Sequence, residues 1–324
     1  MTSNKGFILG LAVVIIAILF IIGTKTDTLG GAAKIQQAQA SARPAADSAA
    51  ATEAAKLSTT NLSAPAKAES VKSSANSALS SAALKNMELQ SSLAWAFGGK
   101  SQRGWQLYTY LIASMVASEH DSNTNDFAEA ISRWQRERGL VSSGIIDNST
   151  WSQMVSTWQS DRLKDKSRPS PDQLVTASVS DLYDPGRPEE LRKVERQTYL
   201  AYKRMVAAAA ADPSLKLAVG ADGELAPGEK FLKIVSAHRS PEYQSMLRKQ
   251  SPNSGRAGLA VNSPHFTGKA LDIYVGGEPV STKDANRAIQ VQTPVYRWLV
   301  KNAAKFGFRP YFYEPWHWEY VGTK

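Results

Sequence analysis

Apolar side chains recur at helical spacing in the middle of the chain. Phe127, Ile131 and Trp134 lie at positions i, i+4 and i+7, which places them on one face of a predicted helix. Gly139 follows two nearby arginines and is expected to end that helix, because glycine readily adopts the left-handed conformation of a helix stop. The pattern therefore predicts an amphipathic helix with a defined C-terminal end.

A second helix is expected after the Ser143-Gly144 turn, with Asp147 or Asn148 as its N-cap. Its inward-facing side chains are apolar: Trp151, Met154 and Val155. Together with the aromatic residues that precede them, the two helices predict a small helical domain over residues 83–160.

The C-terminal part of the chain mixes helical and strand patterns. Apolar residues predict a long helix over 188–211, which Asp212-Pro213 ends. The later elements are expected in this order: a strand over 231–236, a strand over 271–275, a helix over 295–306 closed by Gly307, and one or two strands over 311–321. Helices packed on a small antiparallel sheet predict an α+β domain over residues 185–324.

The N-terminal end carries an uncharged, apolar run over residues 6–23. As a helix, this run would be about 27 Å long, close to the thickness of a bilayer core. A cleaved secretory signal is the competing interpretation, but the run is longer than a usual signal core and no small-x-small cleavage site follows promptly. We expect residues 1–29 to be a single-pass membrane anchor.

Two segments have the composition of linkers. Residues 30–82 are dominated by Ala and Ser and contain no aromatic side chain, which predicts a flexible tether that is helical at most in part. Residues 161–184 are polar and punctuated by prolines, which predicts a second linker. The predicted order is therefore anchor, tether, helical domain, linker and α+β domain.

The amino-acid composition excludes several kinds of functional site. The chain has no cysteine among its 324 residues, which excludes disulfides, thiolate metal sites and a cysteine nucleophile. Lys and Arg exceed Asp and Glu by 38 to 29, a formal charge of +9 that favours polyanionic partners. The basic residues form no clustered run and no groove-reading motif, so we expect no nucleic-acid partner.

Three of the four histidines fall in the last ninety residues, and two of them stand near acidic residues. A catalytic zinc takes three ligands from His, Asp or Glu and keeps a fourth position for water. His265, Asp272 and His317 can supply that set, and Glu314 is close enough to the last ligand to act as the base. A set of two histidines and one carboxylate can also hold non-haem iron. The six residues between His265 and Asp272 and the neighbouring Glu314 favour zinc hydrolysis.

The two segments SPHFTGKALD, residues 263–272, and EPWHW, residues 314–318, resemble zinc D-alanyl-D-alanine carboxypeptidases of the vancomycin-resistance type. These enzymes trim peptidoglycan stem peptides. The resemblance implies an α+β domain, Zn²⁺ bound by His265, Asp272 and His317, and Glu314 as catalytic base. It covers roughly residues 191–322.

An upstream element of that family, S-x-x-R-S, matches residues 236–240. The match implies that Arg239 grips the terminal carboxylate of the substrate or stabilises the developing oxyanion. Gln244 and Ser263 stand at further positions that contact substrate in the family. The implied function is removal of the C-terminal D-alanine from a stem peptide.

The helical segment is similar to a small three-helix peptidoglycan-binding-like domain. The matching pieces are Phe127-x3-Ile131-x2-Trp134-Gln135, Gly139-Leu140, Ser143-Gly144 and Thr150-Trp151. The resemblance implies contact of residues 83–160 with cell-wall glycan. A helical spacer that binds nothing is the alternative.

Several readings of the whole chain remain open. A related L,D-carboxypeptidase or D,D-endopeptidase would need the same residues, and a wall-binding scaffold without catalysis would need only the anchor, tether and helical domain. A membrane anchor combined with a wall substrate implies a protein of the cytoplasmic membrane. Its catalytic domain would face the periplasm or the cell exterior.

Overall fold

The computed structural model describes residues 64–250 and 262–323. From Leu62 onward the chain forms one compact unit. Within the described ranges, no helix combines the length and the apolar character needed to cross a membrane. The predicted anchor, residues 1–29, lies outside the described residues.

The N-terminal half of the described chain is mainly helical. One antiparallel hairpin, in which Ala94 pairs with Arg103 and Phe97 with Lys100, separates its first two helices. The elements are α1 (Ala64–Ser92), β1 (Ala94–Phe97), β2 (Lys100–Arg103), α2 (Thr109–Met115), α3 (Asn125–Glu137) and α4 (Asn148–Ser160). We call this part, up to the end of α4, the helical domain.

Side-chain caps fix the beginnings of the two predicted helices. The Thr124 hydroxyl accepts a hydrogen bond from the Phe127 amide at 3.2 Å, at the start of α3. At the start of α4, the Asp147 carboxylate accepts one from the Thr150 amide at 2.8 Å. Asp147 is therefore the N-cap, and Asn148 is the first residue of the helix.

The C-terminal half is an α+β fold, which confirms the predicted fold class. Its main sheet has four antiparallel strands in the order β5-β6-β8-β7, and β3 and β4 form a separate antiparallel pair. The elements are β3 (Leu174–Thr176), β4 (Lys193–Glu195), α5 (Arg196–Ala210), β5 (Ile234–Ser236), α6 (Pro241–Gln250), β6 (Ala270–Ile273), α7 (Asp284–Gln292), α8 (Pro294–Asn302), β7 (Phe308–Pro310) and β8 (His317–Tyr320).

The long helix predicted over 188–211 is wrong in its first part. Val194 pairs with Val175 across β3 and β4, and α5 begins only at Arg196. The Glu195 carboxylate caps the helix by accepting hydrogen bonds from the amides of Gln197 at 3.0 Å and Thr198 at 2.8 Å. The sequence pattern does not indicate a helix start at Glu195, because Glu is not among the usual N-cap residues.

Both predicted linkers contain ordered structure. β3 lies within residues 161–184, and Leu182 is buried in the core of the α+β fold. α1 begins inside the predicted tether over 30–82. The short apolar pieces of these segments find partners that lie far away in the sequence, which composition alone does not indicate.

The helical domain and the α+β fold share one aromatic cluster. Most of its members belong to the helical domain, among them Trp105, Trp151 and Trp158. Three consecutive residues of the α+β fold complete it: Tyr311, Phe312 and Tyr313. These three lie in the turn between β7 and β8, where the sequence predicts a strand. We call them the aromatic turn.

Candidate active site

A short 3-10 turn over Pro264–Thr267 positions His265. The Ser263 hydroxyl caps the turn by accepting a hydrogen bond from the His265 amide at 3.3 Å. Gly268 ends it with a φ of 68°, and a Cβ there would lie 3.0 Å from the Glu195 amide nitrogen. Glycine is therefore required at position 268, both for its backbone conformation and for the close approach of β4.

Sheet register brings the remaining polar residues together. On the central strand β6, Asp272 lies opposite His317 of β8 on one side and opposite Ser236 of β5 on the other. Directly opposed residues of antiparallel strands have Cβ atoms about 5 Å apart. Two of the predicted ligands, Asp272 and His317, are 45 residues apart in the sequence and become neighbours through strand pairing.

His265, Asp272 and His317 form a compact buried group. Their ligand atoms all lie within 4.8 Å of one another. The Asp272 Oδ1 atom is 3.3 Å from His265 Nε2 and 2.9 Å from His317 Nδ1. All three residues are at most 3% exposed. The structure therefore brings together the residues that the sequence proposed as metal ligands.

His265 and Asp272 are in the protonation states that metal ligands need. Burial lowers the pKa of His265 to about 4, and the nearby Arg239 contributes in the same direction. Burial alone would raise the pKa of Asp272, but His265, His317 and Arg239 hold it well below its usual range. The site therefore presents a neutral imidazole and an ionised carboxylate.

His317, the second histidine of the group, is a protonated imidazolium in the absence of metal. Burial would lower the pKa of His317, but hydrogen bonds to Asp272 and Glu319 raise it to about 9. A metal ion would have to displace that proton, because a ligating imidazole binds through a deprotonated nitrogen.

Glu314 directly follows the aromatic turn and lies three residues before His317. Its amide donates to the Tyr311 carbonyl at 3.1 Å, and its carbonyl accepts from the His317 amide at 2.9 Å. Burial raises the pKa of its carboxyl group to about 8; Asp272 adds to the shift, while the positive groups His317, Arg239 and Arg162 oppose it. A raised carboxyl pKa beside other titrating groups is typical of an acid or base in catalysis.

Arg239 joins the metal-ligand group to the predicted substrate contacts. Its Nη2 atom donates to the Asp272 Oδ2 atom at 2.7 Å, and its Nε atom donates to the Ser236 hydroxyl at 2.9 Å. The Nη1 atom donates to the Gln244 side chain at 3.3 Å. Gln244 and Ser263 are both buried, the former beside Arg239 and the latter beneath His265.

Two residues next to the site are absent from the sequence-based set. Glu319 is fully buried and its Oε1 atom lies 3.2 Å from His317 Nε2. Arg162 forms an ion pair with Glu319. Alternation along a strand places His317 and Glu319 on one face, so the pattern could have indicated Glu319. Arg162 gave no such signal, because it lies 157 residues away within a predicted linker.

One family model matches the C-terminal part of the chain. Residues 191–323 match the family model VanY, described as D-alanyl-D-alanine carboxypeptidase. That range includes all the predicted site residues, from Arg239 to His317. No curated protein matches the chain. Residues 191–323 are therefore a domain of the D-alanyl-D-alanine carboxypeptidase family, with a carboxypeptidase-type activity on peptidoglycan stem peptides as its expected chemistry.

Proposed function

We propose that the chain is a membrane-anchored, zinc-dependent D,D-carboxypeptidase that removes the C-terminal D-alanine from peptidoglycan stem peptides. The observation that carries the proposal is the buried group of His265, Asp272 and His317 with Glu314 beside it, all within the range that matches the family. Neither part alone would suffice, since buried histidine–aspartate pairs also occur without metal.

The three side chains fit a zinc ion by their chemistry. Two imidazoles and one carboxylate form a donor set that is typical of catalytic zinc, which keeps one position open. The Nδ1 atom of His265 lies 2.7 Å from the Ala237 carbonyl, which leaves Nε2 as its ligand atom. When bound, zinc would supply a Lewis acid that polarises the scissile carbonyl and acidifies water.

Glu314 is the proposed general base. Its buried carboxylate would take the proton of the attacking water and then donate it to the nitrogen of the leaving D-alanine. The peptide C–N bond breaks as the C–O bond forms, so the products are the shortened peptide and free D-alanine. The positive groups around Glu314 keep the ionised form accessible despite its burial.

Arg239 is the proposed contact for the free carboxylate at the substrate's C-terminus. The Arg239 side chain is only 12% exposed and already lies against the metal-ligand group. A fixed positive charge there favours substrates that end in a carboxylate, and so favours a carboxypeptidase over an endopeptidase. Gln244 and Ser263, which hold Arg239 and His265, belong to the same proposed subsite.

Location and wall contacts are part of the proposal. The apolar run near the N-terminus would hold the protein in the cytoplasmic membrane, with its catalytic domain on the periplasmic or outer side. Residues 83–160 would contact wall glycan. The excess of positive charge suits an acidic wall polymer.

The direct test combines metal content with product analysis. Zinc-loaded protein incubated with a pentapeptide that ends in D-Ala-D-Ala should release one D-alanine per peptide, as measured by mass. His265→Ala should lose zinc and turnover, whereas His120→Ala, a variant of an exposed histidine of the helical domain, should keep both.

The products also separate the related activities. Release of D-alanine from a tetrapeptide but not a pentapeptide would assign L,D-cleavage, and cleavage of cross-linked dimers would assign an endopeptidase. Full wall binding without bound zinc or any released amino acid would replace the proposal with a scaffold.

A further inference from the structure

Each of the two metal-site histidines has an outer partner, and the two partners differ. His265 turns Nδ1 to the neutral carbonyl of Ala237 at 2.7 Å. His317 turns Nδ1 to Asp272 at 2.9 Å and Nε2 to the carboxylate of Glu319 at 3.2 Å. A ligating histidine usually donates its second ring N–H to a carbonyl or carboxylate oxygen. This hydrogen bond fixes the orientation of the ring and makes the ligand nitrogen more basic.

Glu319 needs compensation, because it is a fully buried carboxylate. Arg162 supplies it: its Nε atom lies 3.0 Å from Glu319 Oε1, and its Nη2 atom donates to the same oxygen. The Leu163 amide donates to Glu319 Oε2 at 2.9 Å. Both oxygens of Glu319 are thus held by residues that directly follow α4.

Arg162 is also linked to His317 through the ring of Tyr311. Its guanidinium lies over the ring of Tyr311, 4.0 Å from the centroid. The Tyr311 ring in turn meets the His317 imidazole edge to face, with centroids 5.8 Å apart. One arginine therefore supports two of the groups that confine the imidazole.

We propose that Arg162 and Glu319 form an outer clamp that fixes His317 for metal binding, so that the segment after the helical domain belongs to the metal centre. Arg162 and Leu163 precede the range that matches the carboxypeptidase family, residues 191–323. Arg162 and Glu319 are positioning residues, since they act on the site through His317. This inference rests on the zinc site of the proposed function.

The same segment offers a matched control. Asp165, three residues after Arg162, pairs with Lys269 at 2.7 Å on the surface. That pair also joins the segment to the α+β fold, but it touches neither Glu319 nor His317. Asp165→Asn therefore removes another ion pair between this segment and the α+β fold without altering the clamp.

The test measures zinc affinity of the full chain by competition with a chelator. Glu319→Gln keeps the shape but removes the charge that His317 faces, and we expect zinc to bind about 10- to 100-fold more weakly. Because this variant leaves the Arg162 charge without its partner, the double variant Arg162→Gln/Glu319→Gln is the second test; it should weaken zinc to a similar degree. Asp165→Asn should stay within about 2-fold of the parent.

Cobalt substitution adds a readout that a purely structural role would not move. The visible ligand-field bands of the cobalt protein should shift in Glu319→Gln and remain unchanged in Asp165→Asn. Zinc affinities of both clamp variants within about 2-fold of the parent would overturn the proposal. A double variant that no longer folds would assign the pair to stability and overturn it as well.

Zinc binding by the parent protein distinguishes failure of the clamp from failure of the metal site. If the parent binds zinc and releases D-alanine while the clamp variants bind zinc as well as the parent, only the clamp is wrong. If the parent itself binds no zinc, the proposed metal site fails and the clamp fails with it.

Discussion

Ten consecutive residues, 311–320, contribute to two buried clusters of opposite character. The aromatic turn packs into the core of the helical domain, where Phe312 is 2% exposed and stacks on Trp158 with centroids 5.6 Å apart. A few residues later, His317 and Glu319 are equally buried but lie among charges. Burial is favourable by itself for the first cluster, whereas the second is tolerable only because every charge has a partner.

This difference separates stability from function. Apolar burial in the aromatic cluster is non-directional and adds to the free energy of unfolding. The buried charges gain little net stability from burial, and they persist where a cation or a reaction uses them. Substitutions in one cluster should therefore act mainly on folding, and substitutions in the other mainly on metal binding and turnover.

The largest effect should come from Glu314→Gln. This change keeps the shape of the side chain but removes the proposed base, so turnover of a D-Ala-D-Ala peptide should fall by about 10²- to 10⁴-fold. Zinc content and the unfolding midpoint should remain close to those of the parent. Turnover within tenfold of the parent, in a preparation free of wild-type enzyme, would remove Glu314 from the mechanism.

Phe312→Ala tests the apolar cluster. Truncation of a fully buried phenylalanine leaves a cavity and should lower the free energy of unfolding by about 3–5 kcal/mol, measured by urea denaturation. Val141→Ala is the control, since Val141 is 84% exposed and the change should stay within about 0.5 kcal/mol. Equal effects of the two variants would show that the aromatic turn is not buried against the helical domain.

A buried cation inside the aromatic cluster gives a smaller effect. The Arg287 Nη1 atom donates to the Tyr108 hydroxyl and to the Tyr313 carbonyl, both at 3.1 Å. Arg287→Met leaves both acceptors without this donor and should cost about 1–3 kcal/mol of unfolding free energy. Lys301→Met breaks an exposed ion pair with Glu119 that also links the two halves, and it should leave stability almost unchanged.

Alkaline pH should weaken the aromatic cluster by a modest amount. Burial raises the pKa of Tyr108 to about 12, although Arg287 opposes the shift. The tyrosine is protonated in both states below pH 10, so its contribution to stability is complete there. As pH rises, the unfolded chain ionises first, and the contribution is lost between pH 10 and about 12.

Tyr108→Phe removes that titration. Between pH 10 and 12 the parent should lose about 2 kcal/mol more stability than this variant, in matched denaturant titrations. Parallel pH curves for the two proteins would contradict the inferred burial of the phenol.

The sequence predicts the two clusters unequally. His265, Asp272, His317 and Glu314 could be proposed from residue type and spacing, because few side chains serve a metal or a proton transfer. The partner of the aromatic turn could not be predicted, since apolar side chains pack with any apolar surface. The residues 311–313 fit a strand pattern equally well, and only tertiary packing makes them a turn.

Elements held by long-range partners were also difficult to predict. β3 and β4 are three residues each, and their pairing overrides a helical pattern at Val194. Arg162 lies in a polar segment that resembles a linker, yet it contacts Glu319 from 157 residues away. Local patterns predicted the α+β class and the residues of the candidate metal site, and missed what depends on contacts between distant segments.

The central claim is that a zinc ion held by His265, Asp272 and His317 supports removal of a terminal D-alanine. The most direct measurement is the D-alanine released from a stem pentapeptide by purified protein before chelation, after removal of metal, and after readdition of one equivalent of zinc. We predict release by the loaded protein, loss after chelation, recovery with zinc, and no recovery in His265→Ala. Release that persists in the metal-free protein, or that His265→Ala leaves intact, would contradict the claim.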